Sequence, residues 1–337
     1  MSDRYEEAAL RIHQSLPVFD GHNDLPWAIR ERAGSSLDAA DPNHALPDYH
    51  TDVPRLLAGG VGAQFWSVYV PADSEAPLRD TLEQIRLTRE MIDRCPDLEL
   101  ALTADDVDRI RGEHRIASLL GAEGGHAIEG SLDTLRDLFS LGVRYMTLTH
   151  NSTLDWADSA TDEAVHGGLN EFGRHVVREM NDLGMLVDIS HVSPNTMRDA
   201  IATSSAPVIA SHSSAFTLAA HPRNVPDDVL EMVRGNGGVV MVNFYSAFVK
   251  PQSPETATLF DVVDHIEHIA AVAGVDHVGL GSDFDGVDML PEGLEDVARF
   301  PAITAELLRR GWIEPDARKV LGENALRVLR AAEQAAS

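Results

Sequence analysis

Two rhythms of apolar residues alternate along this chain. Short, nearly continuous apolar runs, the mark of strands buried on both faces, begin at Val18-Phe19 and recur at 64–70, 116–122, 143–149, 185–189, 207–210, 239–244 and 277–281. Between most of them, apolar residues repeat at helical spacing. Leu82, Ile85 and Met91 predict a helix over 78–95, stopped by Pro96, and Leu132, Leu135, Leu138 and Phe139 predict another, capped by Gly142. A third helix spans 171–183 before Gly184, and Ser193-Pro194 opens a fourth, with serine as N-cap and proline in the first turn. Residues 227–233 form a short helix. Leu259, Val262, Val263, Ile266, Ile269 and Ala270 carry the next one to Gly274, and 315–334 closes the chain. Residues 25–60 read as a long loop with short helical pieces, and 151–170 as a loop containing Trp156.

Eight strands, mostly alternating with helices, predict a parallel sheet. With no linker-like shift in composition, they predict a single (β/α)8 TIM barrel over residues 1–337. A doubly wound open sheet is the alternative. It usually has fewer strands, and the Gly-x-Gly-x-x-Gly turn that often accompanies it does not occur here.

Composition narrows the function. With 337 residues, 44% of them hydrophobic, a large core is available. Acidic residues number 54 against 27 basic ones, a formal charge of -27 that repels nucleic acid and anionic membranes. Lys250 and Lys319 are the only lysines, and Cys95 is the only cysteine, so no intrachain disulfide can form. Any metal must be held by histidine and carboxylate rather than by a thiolate cluster. The charged stretch Met1-Ser2-Asp3-Arg4-Tyr5-Glu6-Glu7 lacks the pattern of a secretory signal, no apolar run reaches membrane-spanning length, and 331–337 is no hydrophobic anchor. These features predict a soluble cytoplasmic protein.

The chemistry gathers at strand ends. His22 and Asp24 end the first strand, two residues apart and therefore on one face. Glu123 ends the third, His150 the fourth, His191 the fifth, His212 the sixth and Asp283 the eighth. Each has an ordinary reading alone: a turn residue, a helix cap, a satisfied core histidine. Barrel enzymes, however, carry their catalytic groups at the C-terminal ends of strands, and together the seven predict a metal site. Imidazole and carboxylate ligands suit zinc, with manganese or cobalt as substitutes. The donors exceed what one open site needs, and two ions bridged by one carboxylate fit better: His22, Asp24 and Glu123 on one, Glu123, His191 and His212 on the other. Such a pair shares a water and lowers its pKa towards about 7. Some barrel hydrolases bridge their ions with a carboxylated lysine, but neither lysine here lies at a strand end, so the bridge is Glu123 or nothing.

Arg223, in the loop after the sixth strand, can clamp a carboxylate with two parallel hydrogen bonds, or else pair with Asp227 or Asp228 on the surface. Asp283 is an acid/base group or a helix cap. Asp285 competes for the acid/base role but lies further from the strand end. The remaining histidines sit on helices, in loops or at strand starts, with His126 and His221 near enough to orient others.

Seven motifs run in order along the chain: Phe19-Asp20-Gly21-His22-Asn23-Asp24, Glu123-Gly124-Gly125, Leu148-Thr149-His150-Asn151, Asp188-Ile189-Ser190-His191-Val192-Ser193, Ser211-His212-Ser213, the stretch His221-Pro222-Arg223-Asn224-Val225-Pro226-Asp227-Asp228, and Gly281-Ser282-Asp283-Phe284-Asp285-Gly286. With Leu321-Gly322-Glu323-Asn324 near the end, they resemble the membrane dipeptidase (renal dipeptidase) family, the M19 metallopeptidases, among the amidohydrolase-like barrels. The resemblance implies two Zn2+ bridged by Glu123, and a free dipeptide hydrolysed by a metal-bridging hydroxide. It implies that His150 binds the scissile carbonyl oxygen, that Arg223 holds the substrate carboxylate, and that Asp283 handles the proton and the amino end. It also implies a homodimer. The signal, lipid-anchor tail and cysteines of the animal members are not matched, which points to the soluble microbial branch. A rival within the same chemistry is another amidohydrolase-type hydrolase or deaminase acting on a small amide, lactone or cyclic substrate, which has no need of Arg223. A non-catalytic metal- or peptide-binding barrel is the rival outside it.

Overall fold

The apolar runs become parallel strands: β1 (Val18–Asn23), β2 (Val61–Tyr69), β3 (Leu98–Leu100), β4 (Ile116–Glu123), β5 (Val143–Thr147), β6 (Leu186–Asp188), β7 (Ile209–Ala210), β8 (Val239–Val242) and β9 (Val278–Leu280). The structure is a computed structural model that describes residues 4–15 and 17–336. Met1, Ser2 and Asp3 of the charged N-terminal stretch, Leu16, and Ser337 lie outside the described residues. Strands pair in the order β2-β1-β9-β8-β7-β6-β5-β4, and β2 pairs back onto β4 from Ala63↔Ala117 to Tyr69↔Glu123, which closes an eight-stranded barrel. Helices lie between the strands, as in a (β/α)8 TIM barrel. The ninth strand, β3, pairs only with the start of β4, from Leu98↔Ile116 to Leu100↔Ser118.

The barrel is filled by side chains from alternating strand positions, among them Phe19, Phe65, Tyr145 and Met241. Phe65 links this interior, with its ring centroid 5.5 Å from Phe19 and 4.7 Å from Tyr145. Ala325, Val328, Leu329 and Ala332 of the last helix join the same cluster, so that helix covers the end of the barrel where the strands begin. The opposite rim is left for the site.

The β1–β9 closure is thin, with one ladder pair, Asp20↔Leu280. The buried Asp20 side chain reinforces it by accepting from Ser282 N (2.7 Å), Ser282 Oγ (2.6 Å) and Gln64 Nε2 (3.0 Å). Burial raises its pKa to about 6 despite these donors.

Several strands stop earlier than their apolar runs. β5, β6, β8 and β9 end at Thr147, Asp188, Val242 and Leu280. Beyond these points the backbone turns from ladder bonding to buried carboxylates: Ser190 N and Ser211 N donate to Asp188 Oδ1, as Ser282 N does to Asp20. Helices at Leu25–Ala33, Ala104–Gly112 and Phe300–Arg309 add to those expected from the sequence. The first begins with Pro26 in its opening turn and ends at Gly34, whose φ of 57° is left-handed. The closing helix is interrupted by a π turn at Lys319–Glu323. Among the described residues no helix is long and apolar enough to cross a membrane.

Candidate active site

All seven predicted strand-end residues lie at one rim of the barrel, and nearly all are buried. Glu123, the last residue of β4, stands at their centre with its two oxygens facing different partners. Oε2 is 3.5 Å from His22 Nε2 and accepts from Ser67 Oγ at 3.0 Å. Oε1 is 3.0 Å from His191 Nε2, 3.5 Å from His212 Nε2 and 3.9 Å from His150 Nε2. Asp24 Oδ2 lies 3.2 Å from His22 Nε2. Three triplets bring donor atoms within 4.8 Å of one another: His22, Glu123 and His212; Glu123, His150 and His191; His22, Asp24 and Asp283. These triplets cut across the two trios expected from the sequence. The donors form one continuous cluster rather than two separate cups.

The cluster's protons point outwards. His191 Nδ1 lies 3.2 Å from Asn151 Oδ1 and His212 Nδ1 lies 2.7 Å from Ser211 Oγ. With those nitrogens protonated as donors, both Nε2 lone pairs face one another across 2.9 Å. The buried His22 Nε2 has no hydrogen-bond partner, while its Nδ1 meets Tyr145 Oη at 2.8 Å. Three imidazoles and two carboxylates converging on one space, with His22 Nε2 unpartnered, form a donor set that fits a divalent cation.

The cluster's own charges act strongly on several of its members. Burial would raise Glu123, but His22, His191 and His150 outweigh it and hold its carboxyl well below the ordinary range. Burial would lower His22, yet Tyr145, Asp24 and Glu123 raise it well above the ordinary value. His191 and His212 are pushed well below theirs, by burial first and then by Arg223 and neighbouring imidazoles. Burial takes Asp283 up to about 7, opposed by His22 and reinforced by Asp24 and Glu123.

His191 and Asp283 both take left-handed backbone, with φ of 66° and 67°. That conformation is uncommon outside glycine and costs free energy that the surrounding bonds must hold. Asp283 is anchored by its N–H to His22 O (3.1 Å) and by Asn243 Nδ2 donating to its Oδ2 (2.7 Å). Asp285 exchanges bonds with His50 instead: His50 N donates to Asp285 Oδ1 and Asp285 N to His50 Nδ1. That leaves Asp283 as the carboxylate nearer the cluster.

Arg223 does not pair with Asp227 or Asp228, which contact His268 and Arg198. It is 1% exposed, and its Nε and Nη1 have no hydrogen-bond partner. Its Nη2 reaches only His212 O at 3.4 Å, and its guanidinium lies 5.2 Å from the Phe248 ring centroid. Burial lowers its pKa to about 10, so it remains a cation at neutral pH. Lys250 and Lys319 pair with Asp261 and Asp276, away from the site. His126 Nε2 contacts Val70 O, and His221 Nδ1 accepts from Arg223 N.

Glu123, Asp24, His150, His191, Arg223 and Asp283 line a cavity of about 440 Å³. Its walls add Trp27, Glu31, Tyr69, Tyr245, Phe248 and Asp288, none of them singled out from the sequence as functional. Strand ends are a strong local signal for the cluster; Tyr69 ends β2 but carries no metal-ligand group, and the other wall residues come from loops and helices, where no spacing marks them. Tyr145 is hidden for another reason, since it lies inside an apolar run and reads as core.

The model of the family described as membrane dipeptidase (peptidase family M19) matches residues 6–337. Solved structures agree over the same length. A metallopeptidase from Rhodobacter sphaeroides, bound to a phosphinate mimic of the dipeptide L-Ala-D-Ala, is 28% identical with a TM-score of 0.85, covering 94% of this chain and 99% of its own. A family M19 dipeptidase is 30% identical with a TM-score of 0.83 and the same coverage. An amidohydrolase from Pseudomonas aeruginosa is 26% identical with a TM-score of 0.83, covering 97% and 99%.

Proposed function

Because the chain belongs to the membrane dipeptidase family, peptidase family M19, and is a metal-dependent dipeptidase, we propose that it uses two zinc ions held by His22, Asp24, Glu123, His191 and His212. The observation that carries this reading is the division of Glu123, one oxygen towards His22 and the other towards His191 and His212. Manganese or cobalt would suit the same nitrogen and oxygen donors. Residues 1–337 are taken as one catalytic domain, since β1 and β9, from opposite ends of the chain, are neighbours in one barrel.

When bound, the ion pair supplies Lewis acidity towards the scissile carbonyl and a water acidic enough to act as nucleophile at neutral pH. The chain's own residues do the rest. Arg223 receives the substrate's terminal carboxylate through guanidinium N–H groups, on Nε and Nη1, that have no partner within the protein. That anchors one end of the dipeptide and presents its single peptide bond to the cluster. His150, between Tyr69 and His191, donates a hydrogen bond to the carbonyl oxygen as negative charge develops there. Asp283 takes the nucleophile's proton and passes it to the leaving amine. With its Oδ2 held by Asn243, Oδ1 is the oxygen free to carry it.

Two measurements test the reading. Metal analysis of the purified, active protein is expected to return two ions per chain, and full activity with fewer than about one ion would refute it. A free dipeptide is expected to be hydrolysed far faster than its C-terminal amide, because only the former offers Arg223 a carboxylate. Equal rates would favour an amidohydrolase acting on neutral amides or cyclic substrates.

A further inference from the structure

Resting on the two-ion reading, we propose that Asp188 is a positioning residue for the ion held by His191 and His212, acting on His212 through the Ser211 hydroxyl. Asp188 ends β6 and is wholly buried. Its oxygens are met by donors on both sides. Oδ1 accepts from Ser190 N (3.0 Å) and Ser211 N (2.9 Å), and Oδ2 from Thr147 Oγ1 (2.6 Å) and Ser211 Oγ (2.7 Å).

Ser211 has a single hydroxyl proton to give. Asp188 Oδ2 is 2.7 Å away and Ser190 Oγ is 3.4 Å away, so the proton goes to Asp188. The serine oxygen then has only lone pairs to offer His212 Nδ1, 2.7 Å away. Nδ1 must therefore carry the imidazole proton, and Nε2 keeps its lone pair facing Glu123 and His191. No link in this chain reverses without setting two acceptors against each other.

Ser211 is also fixed in place. Its carbonyl oxygen occupies the position that a Cβ on Gly21 or Gly281 would need, so two glycines admit the end of β7 to the barrel rim. His212 N donates to Ser190 Oγ at 3.1 Å, which pins the following residue. His22 has a separate partner, Tyr145 Oη, that makes no hydrogen bond to Asp188 or Ser211.

The test is chelator competition on protein loaded with Zn2+ or Co2+, comparing wild type with Asp188→Asn, Ser211→Ala and Tyr145→Phe. Asp188→Asn and Ser211→Ala are expected to weaken one of the two ions by about 10- to 100-fold and leave the other within about 2-fold, with Tyr145→Phe affecting the opposite ion. A merely structural role would instead weaken both ions together. In 15N spectra of histidine-labelled, zinc-loaded wild type, His212 is expected to carry its proton on Nδ1. A proton on Nε2, or wild-type affinity for both ions in Ser211→Ala, overturns the proposal. Should Asp188→Asn fail to fold, Ser211→Ala decides alone, since it removes only a hydroxyl. A wild-type chain that binds fewer than two ions overturns the two-ion reading itself. Two ions in wild type with Ser211→Ala unchanged overturns only the role of Asp188.

Discussion

Arg223 shows what one residue can decide. Its guanidinium is buried with two N–H groups unpartnered, a costly state unless an anion completes it. Arg223→Gln is expected to lower kcat/KM for a free dipeptide by about 100-fold or more, mostly through KM, while barely changing the rate with a C-terminal amide. Steady-state kinetics on that substrate pair would refute the clamp if both fell together. Glu123→Gln is expected to reduce turnover by more than about 100-fold, because an amide cannot serve two ions as a carboxylate does; metal analysis of the variant should show the loss alongside the rate. Away from the site, His13 is buried between Gly59 O and Thr304 Oγ1. Burial, opposed by the Gly59 bond and reinforced by Arg318, lowers its pKa from 6.5 to about 4. In that interval the unfolded chain binds a proton that the native one refuses. The contribution is therefore complete above about 6.5 and is lost as pH falls towards 4, worth roughly 3 kcal/mol at most. Denaturant melts across pH should show a shallower acid loss in His13→Gln; an unchanged slope would refute it. That the site's histidines and carboxylates meet at one rim was legible because such residues at strand ends stand out against apolar runs. Ser211, Asp188 and Tyr145 were not, because serine, a buried aspartate and a core tyrosine acquire their role only from what lies across the barrel.

Among the elements, the strands were legible as apolar runs and their order as alternation, but their ends were not. The runs at 143–149 and 185–189 continue past the last ladder pair because their final residues remain buried, with Leu148 N and Ile189 N still donating to Asp188 O and Ile209 O on the next strands. β3, Leu98-Glu99-Leu100, was missed because it is no apolar run and only Leu98 is fully buried. The closing helix reads as continuous because the π turn at Lys319–Glu323 keeps apolar Val320 and Leu321 buried. There Gly322 packs on the backbone of Pro17 and Phe19, and Asn324 Nδ2 donates to Val275 O and Val278 O, both at 2.8 Å. A Cβ at position 322 would collide with main chain rather than with a flexible side chain. Gly322→Ala is expected to cost about 1–3 kcal/mol, seen as a Tm a few degrees lower by calorimetry. A variant that melts like wild type would show that the helix can shift away.

At the scale of the whole molecule, two charge terms set stability. The site gathers buried donors whose mutual arrangement favours a cation, so ion binding should stabilise the native state alone. At about 1,000 times Kd the gain is roughly 4 kcal/mol, and stripping the ions should lower Tm, with restoration on adding zinc. The net charge of -27 works against compactness. Adding salt should raise the Tm of metal-loaded protein as self-repulsion is screened within a Debye length of about 8 Å at 0.15 M; a falling Tm would mean that the surface ion pairs outweigh the net charge. The β1–β9 closure has a further consequence, for how the molecule is made. Residue 20 must find residues 280–282 before the rim exists, and His22 meets Asp283 only across that joint. Such a contact spans most of the chain, and its loop-closure entropy falls late in folding. A ribosome-bound chain that has formed every earlier βα unit would still hold an open fan of strands with His22 apart from Asp283, and the rim would be completed only after release of the C-terminal segment.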